Sequence, residues 1–246
     1  MLALDGIAFG YDGRAVLKGI TVAVDRGERL AVVGANGAGK TTLLRIAAGL
    51  QEPDSGSVDG EGVVGFAPED PEIGLFAATV RGEVAFFPRN RGLDVADAVS
   101  SALESMGLTA LEDRNPFTLS RGEQRRVSIA SVLAGDPAVL ALDEPTKGLD
   151  RRDAHDLGRL LRDRDTTLVY STHDTDFAYA TADRVAVLAD GGFRALGSPR
   201  EVLGDEPLLR AAGVRPPGLV SLARQEGLAR LPRDIDDAVA MLRGEP

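Results

Sequence analysis

Residues 29–42 read RLAVVGANGAGKTT. A continuous apolar run, the pattern of a strand buried on both faces, enters a glycine-rich turn. KTTLLRIAAGL leaves it with helical spacing that ends at Gly49. The turn fits the pattern G-x-x-x-x-G-K-[ST], which cradles phosphates when a buried strand precedes it and a helix follows. Both are present, so this stretch points to an α/β architecture more firmly than any other.

The residue types suit that chemistry. Glycines let the backbone curl until its N–H groups point inward at phosphate oxygens, and the following helix presents its positive dipole end to the same anion. Asn36, Gly37 and Gly39 are therefore candidate ligand contacts. The chain has three lysines against 25 arginines, and one of the three is Lys40. An ammonium on a flexible stem reaches between β- and γ-phosphates, whereas arginine's planar fork is bulkier and fixed in geometry. Thr41 is expected to ligate Mg²⁺ through its hydroxyl, and Thr42 to bind the α-phosphate.

A second apolar strand, AVLALDEPT, ends in two carboxylates. Asp143 suits Mg²⁺ coordination and Glu144 suits a general base facing the attacking water, although strand-end acid pairs are common without such roles. THD places His173 just past the strand TTLVYS, within reach of a γ-phosphate and the water. A lone strand-end histidine is ordinarily structural, and His155 in DRRDAHDL reads as a solvated helix position. Tyr11, with Val16 beside it, suits stacking on an adenine ring, but alone it is ordinarily a plain strand residue.

The 246 residues suffice for one large domain or a core with a smaller subdomain, and hydrophobic residues at 43% allow a sizeable interior. Aromatics are 4% and tryptophan is absent, so that interior is aliphatic. There is no cysteine, which excludes disulfides and Cys-ligated metals. A net charge of −10 argues against global attraction to nucleic acid or anionic lipid, so any anion site is local. The N-terminal MLALDGIAFGYDG has no basic start and reads as no signal peptide. Apolar runs fall far short of the roughly 20 residues that span a bilayer, so work at a membrane requires a partner. Scarce lysine with abundant Asp, Ala, Gly and Arg fits a GC-rich genome or a salt-adapted cytoplasm.

Along the chain, ALDGIAFGY alternates like a strand, and ITVAVDRGERLAVVG holds two more strands broken at Asp25-Arg26-Gly27. QEPDSGSVDGEG reads as a turn-rich loop and VVGFA as a buried strand. Residues 79–136 read as an inserted helical subdomain, with one helix capped by Asp94 and another capped by Ser120 and stopped near Gly135. RVAVLADGGFRAL reads as a hairpin turning at Asp190-Gly191-Gly192. The last 50 residues carry short helical patterns broken by Pro216, Pro217 and Pro232.

LSRGEQRRVSIA lies 23 residues before Asp143. Together with the phosphate loop, LALDEPTKGLD and STHD, in this order, the chain resembles an ABC-type ATPase over roughly residues 1–195. The resemblance implies an α/β P-loop NTPase fold: a RecA-like core with an antiparallel β subdomain, the helical signature subdomain, and a C-terminal helical extension over 196–246. It implies ATP and Mg²⁺ as ligands and a head-to-tail dimer. There Ser120, Gly122 and Glu123 of one subunit contact the ATP on the other's phosphate loop, and Asp150 couples the two sites. FAPEDPEIGLFAATVRGEVAFFPRNRGL and THDTDFAYATADRVAVLADGGFRALGSPREVL are similar to segments of energy-coupling-factor ATPases.

That subfamily implies import of cobalt, nickel, biotin or another vitamin. Its partners are a second ATPase subunit, identical or not, an integral membrane coupling subunit and a substrate-binding membrane subunit. The location is peripheral, at the cytoplasmic face. Leu75 and Phe76 are expected as apolar contacts to the membrane partner. The family's Gln near Mg²⁺ is Glu69 here, which still suits Mg²⁺ but adds negative charge beside the phosphates. The third signature position is Arg121, and the Pro common after Asp150 is missing. The other functional readings are a soluble ABC ATPase acting on nucleic acid or ribosomes, for which no coiled-coil insert or basic linker is visible, and a non-hydrolysing ATP-binding regulator.

Overall fold

The computed structural model describes residues 1–162, 166–232 and 234–243. β1 (Leu2–Tyr11) and β2 (Arg14–Val24) form an antiparallel hairpin across Asp12-Gly13, whose positive φ of 48° and 77° suit a two-residue turn. β3 (Arg29–Val33) follows after the break at Asp25-Arg26-Gly27, and α1 (Lys40–Ala47) leaves the phosphate loop. β4 (Ser55–Gly60) and β5 (Val64–Ala67) come next. The turn-rich reading of 51–62 is thereby corrected. β4 is an edge strand held to β1 by backbone pairing, and Val58, opposite Leu4, is its one apolar side chain, so it carries no hydrophobic alternation. β5 is also an edge strand, and only Ala67 in it is buried; VVGFA is less enclosed than its composition suggests.

Residues 80–134 hold α2 (Val80–Val84), α3 (Phe86–Arg91), α4 (Val95–Ser105) and α5 (Arg121–Ala134). Asp94 caps α4 by accepting from the Ala96 and Asp97 N–H groups at 3.0 and 3.3 Å. Then come β6 (Val139–Asp143), α6 (Arg151–Arg162), β7 (Thr167–Thr172), α7 (Thr175–Thr181), β8 (Arg184–Ala189) and β9 (Gly192–Gly197). The last two pair antiparallel around Asp190-Gly191. Four helices close the chain: α8 (Pro199–Gly204), α9 (Glu206–Ala211), α10 (Gly218–Gln225) and α11 (Ile235–Arg243).

Two sheets result. One is antiparallel, in the order β2-β1-β4; the other runs β5-β6-β7-β3-β8-β9, with β5 to β8 parallel. The residues of β3 alternate between two cores. Leu30 and Val32 pack with α1 and the antiparallel sheet, while Ala31 and Val33 pack toward α5, α7 and α8. That double burial is why β3 reads as an unbroken apolar run. It also puts the phosphate loop at the middle of the sheet, beside the carboxyl ends of β6 and β7, where open α/β sheets bind ligands.

Candidate active site

Each catalytic-type residue leaves the carboxyl end of a parallel strand. The phosphate loop follows β3 and curls through Gly37 and Gly39, whose φ values of 80° and 104° disfavour side chains. A Cβ at Gly39 would lie 2.9 Å from Val16 Cγ1, so the loop packs against the β1–β2 hairpin only with glycine there. Lys40 is 7% exposed. Its ammonium donates to the carbonyls of Gly34 and Ala35 at 2.9 and 3.3 Å and lies 3.4 Å from Glu144 Oε1.

The register of β6 and β7 sets Asp143 opposite Ser171. Asp143 Oδ1 accepts from the Ser171 hydroxyl at 2.6 Å and from the Thr41 hydroxyl at 3.0 Å. Glu144 then turns out of the strand at φ 45°, a left-handed conformation that costs about 1–3 kcal/mol in a non-glycine residue and persists only where surroundings enforce it. Here its N–H donates to Ser171 Oγ and O at 2.9 and 3.1 Å. Its carboxylate Oε2 accepts from the His173 backbone N–H at 3.1 Å and pairs with His173 Nδ1 at 2.7 Å. With Glu144 ionised, Nδ1 carries the proton and donates. Asp143 and Glu144 are 3% and 6% exposed, so this side of the site is closed and rigid.

Tyr11, Val16, Asn36, Gly37, Gly39, Lys40, Thr41, Thr42, Glu69, Glu144 and His173 together line one cavity of about 530 Å³. Asp143 sits behind Thr41. Ser120, Gly122 and Glu123 are not in this lining. They open α5, where the Ser120 hydroxyl accepts from the Glu123 N–H at 3.3 Å and the Glu123 carboxylate accepts from the Ser120 N–H at 2.8 Å. That backbone hydrogen bond holds the Glu123 carboxyl below its usual range. A Cβ on Gly122 would meet Asp153 Oδ2 at 2.5 Å, so a side chain there would have to displace the Asp153 carboxylate where α5 meets α6.

Three contributors were not foreseen in the sequence. Ser171 braces both strand-end acids. Arg125, 1% exposed on α5, donates to the carbonyls of Pro68 and Glu69 and, at 3.4 Å, to that of Glu144. Burial pulls its pKa down to about 10, and its Nε finds no partner among the described residues. Lys147 forms an ion pair with Glu69 at the cavity lining, which holds the lysine above its usual pKa. The negative charge expected of Glu69 therefore comes with its own counter-ion. One further expectation fails: Leu75 is 6% exposed and belongs to the core, whereas Phe76 is 61% exposed. The buried Glu83 carboxylate accepts from the N–H groups of Phe76 and Ala77 at 2.9 and 2.8 Å, which fixes that loop with Leu75 inward and Phe76 outward.

The donor set fits Mg²⁺ bound with a triphosphate. The oxygen donors of Thr41 and Asp143 adjoin, and no cluster of three or more His, Cys, Asp or Glu among the described residues could cage a metal alone. Mg²⁺ is held in this way, by one or two protein oxygens plus phosphates and water.

The family model for ABC transporters matches residues 17–147. The energy-coupling factor transporter ATP-binding protein EcfA of Methanothermobacter thermautotrophicus is 38% identical, over 96% of this chain and 83% of the relative. The cobalt import ATP-binding protein CbiO of Rhodobacter capsulatus is 39% identical, over 99% of this chain and 98% of its own. Among solved structures, cbiO1 from Clostridium perfringens, part of the ABC transporter complex cbiONQ, superposes with a TM-score of 0.77 at 32% identity. That match covers 91% of this chain and 98% of cbiO1.

Proposed function

The chain belongs to the ABC transporter ATPase family, and from that premise we propose that it is the MgATP-hydrolysing subunit of an energy-coupling-factor importer for a metal ion such as cobalt or nickel, or a vitamin such as biotin. The observation that carries the chemistry is the buried Glu144 carboxylate, held by His173 and Lys40 where it lines the phosphate-loop cavity.

Tyr11 and Val16 hold the base, and the loop N–H groups from Asn36 to Gly39, with Lys40 and Thr42, hold the phosphates. Thr41 and Asp143 would hold Mg²⁺ with Glu69 near it, and the bound ion would offset charge developing on the β- and γ-oxygens. Glu144 takes a proton from the attacking water as its oxygen bonds to the γ-phosphorus, and the bridging oxygen leaves with the β-phosphate. His173 aims the carboxylate, and Ser171 keeps Asp143 and Glu144 in register. Ser120, Gly122 and Glu123 serve the nucleotide of a second ATPase subunit, across a head-to-tail interface to which Asp150 contributes.

A membrane coupling subunit docks on the exposed aromatics Phe76, Phe86 and Phe87, stacked edge to face at 4.8 and 5.6 Å. No helix among the described residues is long and apolar enough to cross a membrane, consistent with a peripheral place at the cytoplasmic face. Residues 1–195 form the ATPase unit and 196–246 an extension that helps two ATPases pair.

Glu144→Gln tests the chemistry. ATP binding should persist while turnover falls by roughly 10² or more. Hydrolysis at the wild-type rate would remove Glu144 as the base.

A further inference from the structure

Two of the chain's three lysines, Lys40 and Lys147, line the same cavity. They approach it differently. Lys40 rises from the buried loop, while Lys147 stands on the turn after β6, 55% exposed in its side chain. Its backbone N–H donates to the Glu144 carbonyl at 3.1 Å, which anchors it beside the catalytic acid. Its partner Glu69 is anchored too, because Arg125 grips the Pro68 and Glu69 carbonyls and reaches the same Glu144 carbonyl. The cavity's lining charges thus fall into two pairs, Lys40 with Glu144 and Lys147 with Glu69.

Exposed pairs contribute little to folding, with a median near zero. The value of the second pair therefore lies in the charge it sets at the cavity. An unbalanced Glu69 would face the anionic end of a triphosphate and repel it; Lys147 removes that repulsion and adds three rotatable donors on a long stem.

We propose that Lys147 is a second nucleotide-binding cation of this cavity, matched to Glu69, and that it selects for the terminal phosphate. Accepting that phosphate, the ammonium loosens from Glu69 and leaves a carboxylate free to turn toward the cation that accompanies the triphosphate. Lys147 and Glu69 therefore act as one unit, and it is Glu69 without its lysine that repels the triphosphate. The inference rests on the reading of the cavity as an ATP site.

Calorimetric titration of ATPγS and ADP, in excess Mg²⁺ and in EDTA, tests it on the full chain and on Lys147→Met, Lys147→Arg, Glu69→Gln and the double variant Glu69→Gln/Lys147→Met. Lys147→Met should weaken ATPγS about tenfold and ADP less than about threefold, the scale of one partly screened charge contact. Glu69→Gln should bind ATPγS more tightly than wild type in EDTA. The double variant should return to within about threefold of wild type, and Lys147→Arg should recover most of the loss. Unchanged unfolding midpoints separate this from a structural effect. Lys147→Met binding like wild type, or a double variant no better than Lys147→Met, overturns the inference and leaves the ATP site standing. Failure of the wild-type chain to bind either nucleotide overturns both.

Discussion

On the sheet side of the cavity, Lys40, Asp143 and Glu144 are all under a tenth exposed and held by the phosphate loop, Ser171 and His173 of this same chain. On the α5 side, Ser120 and Arg121 face outward, and Glu69 and Lys147 hold each other at the rim. The first wall is preorganised by strand register and burial, so its chemistry is set before any ligand arrives. The second is a displayed surface whose geometry is good as far as it goes. Ser120 is fixed as a helix cap, yet it does not line this chain's own cavity. The difference teaches that one wall is completed by folding, and it supports the proposal that the other is completed by assembly.

The largest test of the closed wall is Lys40→Arg. Charge is kept but shape is not, so nucleotide affinity should fall roughly 10²-fold, nearly as far as in Lys40→Ala. Wild-type affinity would mean that the buried loop tolerates a fork, and the contrast between a rigid wall and an adaptable one would dissolve. Next comes Arg125→Met set against Arg121→Met. Removing the buried arginine leaves the Pro68 and Glu69 carbonyls without that donor, while the Glu144 carbonyl keeps the Lys147 N–H; it should cost about 2–4 kcal/mol in chemical denaturation, while the exposed Arg121 should cost under about 0.5 kcal/mol. Equal costs would show that α5 is not tied to Glu144 as described. The smallest effect on the chain itself is expected from Phe76→Asp. Basal hydrolysis should stay within about twofold, since Glu83 fixes the loop through backbone groups. Co-purification with a membrane subunit should be lost, and undiminished co-purification would remove this patch from the interface.

What could be read from the sequence follows the same division. β3 and β6 announce themselves because burial on both faces leaves an apolar run, β7 does so through its Leu-Val-Tyr centre, and Asp143 and Glu144 follow as strand-end acids. β4 was hidden because an edge strand such as SGSVDG is held by backbone pairing rather than by side chains. Ser171, Arg125 and Lys147 carry no local signal. Their roles arise from contacts with Asp143, Pro68 and Glu69, which only the fold brings near. Glu69 could be seen to depart from the family's glutamine, but its compensation lies 78 positions away, in a lysine that composition made rare. Leu75 and Phe76 look alike as a dipeptide, and only the fold, with Leu75 in the core and Glu83 holding the loop backbone, separates them.

The most direct test of completion by assembly mixes two inactive variants. Lys40→Ala lacks a working phosphate loop but keeps Ser120; Ser120→Arg lacks the cap hydroxyl but keeps Lys40. With both confirmed as folded and able to pair, ATP hydrolysis is measured for each alone and for the mixture. The account predicts that the mixture recovers activity, because a mixed dimer rebuilds one intact site from two damaged chains. A mixture as inactive as its components would contradict it, and would return Ser120 to a purely structural role as the cap of α5.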